Sequence, residues 1–230
     1  MLKTYDDQKI TVIQATPNPS KLISLAASIT TKELKDEETI SYPLPHKRVK
    51  LIKFMLTANH TSLFEHATIT VLIQGISRSL LAQVTRHRMG SFTSGSQHYQ
   101  KYSDYDDIVD AKMKNMPIAS YLIDASNQTY TDLIKHYNVP AEEARQILTN
   151  SKAVNLLWTT NARSLINFLN IRLCKRNVKE MYAFARNMET IANQWFPELF
   201  HFVGPDCKML GFCRQGFMKA EECRAKTVQG

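Results

Sequence analysis

The sequence predicts an α/β protein in which a few strands sit among more numerous helices. Short runs rich in Thr, Ile and Val occur at Thr11 to Ala15 and Ala67 to Ile73, the composition of strands. Apolar residues recur at helical spacing in Val49 to Ala58, Ile118 to Tyr137 and Val154 to Leu173. Proline- and asparagine-rich breaks separate these segments.

Bulk properties narrow the class. The 230 residues suffice for a sizeable core and are read as a single domain, with an irregular C-terminal tail over about 204–230. At 43% apolar and 22% charged the chain has an ordinary globular composition. No run of 18 apolar residues occurs, so no membrane span is expected. Met1 to Lys9 is too polar for a signal peptide. The net charge of +8 is spread along the chain and suits a small phosphorylated substrate as well as nucleic acid. Neither the aromatic–basic strand pattern of RNA modules nor a helix-turn-helix is present, so no nucleic-acid partner is expected. Cys207 and Cys213 are too loosely spaced for zinc. With Cys174 and Cys223 they read as reduced thiols of a cytoplasmic protein without a metal.

In chain order, the strand at Thr11 to Ala15 gives way to Pro17-Asn18-Pro19, and Ser20 is placed to cap a helix over Lys21 to Ala27. Thr30 to Glu38 is polar, and Pro43 and Pro45 mark another irregular stretch. The helix at Val49 to Ala58 stops near Asn59. In His60-Thr61-Ser62-Leu63-Phe64-Glu65-His66 two imidazoles flank hydroxyls and a carboxylate. No third ligand stands at helical spacing, so the residues alone read as a capped turn. The strand at Ala67 to Ile73 ends at Gly75, and Ser77 or Ser79 caps a helix running toward Arg88. On it Gln83 and Arg86 are three apart and can face one ligand.

Residues 86 to 99 form the focus of the chain: Arg86-His87-Arg88, then a run of Gly, Ser and Thr, then His98-Tyr99. Small residues free backbone N–H groups, and arginine presents a fork of donors matched to phosphate. This reads as an anion-binding loop at a helix end, with a solvated basic turn as the alternative. Lys101 to Asp110 reads as a surface segment. After Ile118 to Tyr137, Pro140 with Glu142 and Glu143 starts a helix carrying Arg145, itself open to reading as a solvated arginine. Val154 to Leu173 is apolar nearly all round, as in a buried helix. Arg163, Asn167 and Asn170 form one stripe on it, with Asn161 and Arg172 opposite. No acidic residue lies between 151 and 173, so these arginines call for a ligand's phosphates, for acids of another chain, or for a structural network. The helical pattern then continues through Met181, Phe184, Met188 and Ile191 to Pro197.

Two of these stretches carry a resemblance. Arg86-His87-Arg88, seven residues, then Ser96 resembles the signature of the flavin-dependent thymidylate synthases, and so does Asn161-Ala162-Arg163 followed by Asn167 and Arg172. The likeness runs from about Val49 to Cys213 and includes Cys207 to Cys213 of the tail. It implies an α/β fold with a twisted mixed/antiparallel sheet and packed helices, assembled as a homotetramer with shared sites. It implies reductive methylation of dUMP at C5 to dTMP, with 5,10-methylenetetrahydrofolate as carbon donor and NADPH-reduced FAD as hydride source. By the same resemblance the cofactor lies against His60, Ser62, Glu65, Arg86, His87, Arg88, Asn161, Arg163 and Asn167. The nucleotide lies against Gln83, Arg86, Ser94, Gly95, Ser96, Gln97, His98, Arg145 and Arg172. Arg172, Ser96 and His60 are implied to take part in the reaction, Ser96 by orienting the nucleotide rather than attacking it.

The chain departs from the family pattern at four places. Thr93-Ser94 replaces Asn-Glu, His98 replaces an arginine, and Thr149-Asn150 stands where a proline commonly follows. Arg176-Asn177-Val178-Lys179-Glu180 replaces Arg-Ala-Gln-Trp-Glu. The first two changes motivate two alternatives: C5 modification of UMP or a cytidylate, or a catalytically impaired nucleotide-binding homologue.

Overall fold

The computed structural model describes residues 1–30, 43–97, 105–214 and 216. In chain order, β1 (Leu2–Thr4) passes through a 3-10 turn at Tyr5–Asp7 into β2 (Lys9–Ala15). Helices α1 (Pro19–Ile29) and α2 (Pro45–Thr57) precede a 3-10 turn at Thr61–His66. Strand β3 (Thr68–Ser77) leads into α3 (Arg78–Val84), then β4 (Ser91–Ser94) and β5 (Asp107–Val109). Helices α4 (Ala111–Lys114), α5 (Pro117–Lys135) and α6 (Ala141–Ala144) come before a 3-10 turn at Arg145–Ile147. Strand β6 (Ala153–Asn161) runs directly into α7 (Ala162–Arg172), followed by α8 (Lys179–Trp195), α9 (Pro197–Phe200) and α10 (Asp206–Leu210). The fold is thus mixed α/β. One sheet has the order β2-β3-β6-β4, and β1 pairs in parallel with β5, Leu2 opposite Asp107.

The stretch 154–173 is therefore not one helix. It is a strand that switches to a helix at Asn161, whose Oδ1 accepts from the Ser164 amide at 2.9 Å. Leu157 is exposed, so both phases of the strand carry apolar residues and the alternation that marks a strand is hidden. Nor does one helix run on through Arg176 to Glu180: the chain leaves α7 at Arg172 and restarts at Lys179.

The chain folds as two compact units, one of Met1–Thr11 with Val71–Trp158 and one of Val12–Thr70 with Thr159–Gly230. In the first, Val71, Ile73, Ile76, Leu80, Leu81, Val84, Val154, Leu156 and Trp158 are buried. Phe92 of β4 stacks on Trp158, ring centroids 5.7 Å apart. Tyr130 of α5 is enclosed with Ala144 by Tyr105, Leu133, Ile134, Val139 and Leu148. Lys152 and Asp107 form an ion pair at 2.9 Å with their side chains 0% and 1% exposed. The Lys152 ammonium also donates to the Tyr105 carbonyl, and Asp107 accepts from Asn127 and Ser151. The ammonium and both carboxylate oxygens thereby have hydrogen-bond partners, which offsets the cost of burying the charges.

Several expectations for this unit are corrected. Asp107–Val109 is a buried strand and not a surface segment, because Lys152 neutralises its aspartate and β1 satisfies its backbone. Gly75 does not end β3: at φ +72° glycine takes a conformation that side-chain-bearing residues adopt only rarely, and the strand continues to Ser77. Ser77 is the cap, accepting from the Leu80 amide at 2.9 Å. Helix α3 stops at Val84, short of Arg86 and Arg88, and residues 91–94 are a strand within what reads as loop.

In the second unit the turn at Thr61–His66 packs against α1 and α7, α7 against α8, and α9 against α2 and α8. Phe168 and Phe184 meet edge to face at 5.8 Å. Arg48 of α2 is buried and donates to Glu198, Ser20 Oγ and the Pro43 carbonyl. Ser20 thus lies inside α1 and does not cap it. Asn18 is the cap residue, in the left-handed region at φ 47°, and Pro19 opens the helix with its preset φ. Pro197 likewise begins α9, whereas α8 has already ended at Trp195.

Two outcomes test this account. Replacing Asp107 with Ala strands the Lys152 charge and should cost about 3–5 kcal/mol, read as the urea unfolding midpoint; a loss near zero would contradict a closed buried pair. On the surface, hydrogen bonding to Lys3 at 2.7 Å holds the Asp106 carboxyl below its usual 3.8, against the opposing effect of burial. A depressed carboxylate stabilises the fold above its unfolded pKa, and that contribution is lost as pH falls through the folded value. Wild type should therefore melt above Asp106→Asn near neutrality and converge with it in acid.

Candidate functional site

The residues singled out by sequence are divided between the two units. In the second unit, Phe64 is fully buried and anchors the 3-10 turn, which leaves Ser62, Glu65 and His66 at the surface. His60 precedes it, exposed, its amide bonded to the Met55 carbonyl at 2.8 Å after Asn59 has taken a left-handed φ of 59°. The Ala162 amide donates to the Ala67 carbonyl at 2.7 Å, which ties the first residue of α7 to the residue after the turn. That tie brings Glu65 to Arg163, Oε1 to Nη1 2.5 Å, with side chains 43% and 50% exposed. Asn167 is exposed one turn further along α7.

Arg163 is therefore neither buried nor in need of a carboxylate from elsewhere. Its partner stands 98 residues back in the chain, beyond the reach of any local pattern. Asn170, placed in the same stripe, is half-buried; with its carboxamide oriented to donate, it reaches the Gly204 carbonyl at 2.7 Å. Asn161 and Arg172 do not share a side of one long helix. They stand at opposite ends of α7, about 16 Å apart along its axis.

Arg172 closes that helix. It is half-buried, and burial pulls its pKa below the ordinary arginine value. Its Nη1 donates to Asn177 Oδ1 at 3.4 Å. The Asn177 amide nitrogen in turn donates to the carbonyls of Ile171, Arg172 and Cys174 at 3.0, 3.2 and 2.9 Å. The first two are among the orphan carbonyls of a helix end. Asn177 is a positioning residue that the sequence shows only as a departure from the family pattern.

In the first unit, Gln83 lies half-buried in the last turn of α3. The His87 amide bonds back to the Val84 carbonyl at 3.0 Å, and Arg86 and Arg88 are exposed on either side of the half-buried His87. Strand β4 follows. Gly95 donates to the Asn155 carbonyl at 3.0 Å, Ser94 is exposed, Gly95 and Ser96 are half-buried, and Gln97 is buried. Arg145 is exposed, with its Nε held by the Glu142 carbonyl of its own turn at 2.9 Å. His98 lies outside the described residues.

The chemistry available in both units is that of anion and carbonyl recognition. Arg86 and Arg88 present exposed guanidinium groups beside a small-residue strand. Arg163, Asn167 and the carboxamide of the Asn161 cap offer donors along the first turns of α7, whose N-terminus favours negative charge. This donor set fits a phosphate-bearing cofactor with ring carbonyls. Among the described residues no group of three His, Cys, Asp or Glu side chains is arranged to hold a metal.

Comparison with known proteins gives concordant results. The family model described as thymidylate synthase complementing protein matches residues 11–198. The flavin-dependent thymidylate synthase of Geobacter sulfurreducens is 31% identical over 216 residues, covering 91% of this chain and 92% of that protein. That of Sulfolobus acidocaldarius is also 31% identical, over 86% of this chain and 78% of its own length. Among solved structures, a UMP/dUMP methylase, PolB, from Streptomyces cacaoi bound with 5-Br dUMP superposes with a TM-score of 0.71. It covers 87% of this chain and 95% of its own at 21% identity, a likeness of fold.

The helix closure makes a direct prediction. Asn177→Ala should lower stability by about 1–3 kcal/mol, the worth of a few net hydrogen bonds, measured by thermal unfolding. An unchanged melting temperature would mean that water replaces the Asn177 amide at no cost.

Proposed function

The chain belongs to the thymidylate synthase complementing protein family, that of the flavin-dependent thymidylate synthases, and on that premise we propose that it methylates dUMP reductively at C5 to give dTMP. The observation that carries the reading is the Glu65–Arg163 pair at the start of α7. It joins residues from separate stretches that resemble the family's flavin-binding motifs. In this reading reduced FAD supplies the hydride, 5,10-methylenetetrahydrofolate supplies the carbon and NADPH restores the flavin.

The chain's own residues then bind and orient. Arg163, Asn167 and Asn161, with Ser62, Glu65 and His60, hold the cofactor from α7 and the preceding turn. Glu65 keeps the Arg163 fork aimed while leaving half of it accessible. Arg86, His87 and Arg88 contribute further donors to cofactor or phosphate. Gln83 reads the pyrimidine. Ser94, Gly95, Ser96, Gln97 and His98 line the nucleotide, and Arg145 faces its phosphate.

C5 of a uracil ring is a weak nucleophile, and it gains strength when negative charge on the ring is stabilised. A half-buried guanidinium does this better than a solvated one, because the field of Arg172 is less screened. Asn177 holds it in place. Neither motif contains cysteine, which fits activation of the ring by charge and orientation without an enzyme thiolate.

We read the assembly as a homotetramer on the family resemblance alone, since Arg163 finds its carboxylate within its own chain. We place the protein in the cytoplasm, and no described helix is long and apolar enough to cross a membrane. Nucleic acid is not among the proposed ligands. A second reading, C5 modification of UMP or a cytidylate, is favoured by Ser94, an exposed hydroxyl where the family pattern has a carboxylate.

The test is product formation. Purified protein with FAD, NADPH, 5,10-methylenetetrahydrofolate and dUMP should yield dTMP, and omission of FAD should abolish it. Absence of dTMP from the complete mixture contradicts the proposal, and faster turnover of UMP or a cytidylate gives the second reading the site. Arg172→Ala should weaken dUMP binding by about 1.5–3 kcal/mol, the worth of a charged hydrogen bond, with FAD affinity little changed. Equal loss of both ligands would mark Arg172 as merely structural.

A further inference from the structure

The solvent face of α2 has the chemistry of a polyanion site. At about 100° per residue, His46, Lys47, Lys50, Lys53, Phe54 and Thr57 fall within one sector of the helix, and all are exposed. Arg48, Ile52 and Met55 form the buried side. The helix contains no Asp or Glu. Lys47, Lys50 and Lys53 have no ion pair among the described residues, whereas Arg48 on the buried side is matched by Glu198. A solvated helix face normally sets carboxylates one turn from its lysines. Lysines on successive turns without them repel one another, and a bound anion relieves that repulsion.

The stripe is also directional. The Lys53 ammonium lies 5.7 Å from the Phe202 ring centroid, held by an aromatic face that leaves its charge available. Phe202 is met edge-on by exposed His201 at 5.3 Å. Phe54, 61% exposed, stands 6.3 Å from the His60 ring, tilted by 45°. From that aromatic end the cations recede along α2 for about 10 Å, at 1.5 Å per residue. A ligand suited to this surface has a ring system at one end and carboxylates or phosphates repeated along a flexible chain. Lysine, a mobile point charge, suits such a chain better than a fixed bidentate fork does.

We propose that the α2 stripe binds the γ-linked oligoglutamate tail of the folate co-substrate, with the ring end of that ligand toward His60. The assignment rests on the folate-dependent reaction proposed above. A tail with one carboxylate per residue meets an ammonium group on each successive turn, and the contact is exposed and therefore salt-sensitive.

Equilibrium dialysis of the FAD-loaded protein with pteroylmonoglutamate and pteroylpentaglutamate tests this without turnover. The pentaglutamate should bind about tenfold more tightly at low salt, the sum of two or three exposed ion pairs, and the advantage should shrink in high salt. The double variant Lys47→Gln, Lys50→Gln, which spares the lysine nearest the ring end, should lose that preference while binding the monoglutamate as wild type does. Equal affinity of wild type for both folates overturns the proposal. So does a preference that survives in the double variant, or a variant whose only defect is in NADPH or oligonucleotide binding. The two readings fail separately: dTMP synthesis without a chain-length preference removes only the tail site, whereas a lysine-dependent preference without dTMP synthesis removes only the reaction.

Discussion

The hydrogen bond from the Ala162 amide to the Ala67 carbonyl, 2.7 Å long, fixes the arrangement on which the second unit's functional surface depends. It joins the residue that starts α7 to the residue that leaves the 3-10 turn. Asn161 caps the helix at the same point, and buried Phe64 keeps the turn from sliding. Glu65 then reaches Arg163. The pair is half-exposed, so its own contribution to stability is only about 0–1 kcal/mol. Its consequence is orientation: a guanidinium held at a helix N-terminus with donors to spare.

Charge is divided between structure and function by burial. Lys152 with Asp107 and Arg48 with Glu198 are taken out of water or nearly so, and each is matched within its own unit. Arg86, Arg88, Arg145 and the lysines of α2 remain exposed. A buried cation without a partner would cost several kcal/mol (about 3–5 when one member of a pair is removed), so the fold completes those pairs internally. Exposed cations carry no such penalty and stay open to anions. Arg172 lies between these extremes, half-buried, with the Asn177 carboxamide among the groups that steer its guanidinium.

The same division explains how much was legible in the sequence. Strands β2 and β3 and helices α2 and α5 announce themselves through β-branched runs or helical spacing, because their burial follows their own pattern. Strand β5 does not, since Asp107 is buried only because Lys152 arrives from 45 residues downstream. Strand β4 carries one aromatic among hydroxyls and is held by its place beside β6 in the sheet, which leaves no side-chain signature. Leu157 on the exposed phase made β6 read as helix. The candidate site residues were legible through two short motifs, yet their partners were not: Glu65 lies 98 residues from Arg163, and Asn177 lies in a segment that departs from the family pattern.

In the proposed function the Glu65–Arg163 arrangement at the start of α7 holds the flavin. A titration of FAD into wild type, Glu65→Gln and Arg163→Ala, followed by flavin fluorescence, tests it most directly. Loss of Arg163 should weaken FAD binding about ten- to hundredfold, the worth of a charged hydrogen bond, and Glu65→Gln should have a smaller effect. The melting temperature of the FAD-free protein should barely move, because the pair is exposed. Undiminished FAD binding by Arg163→Ala would contradict the account.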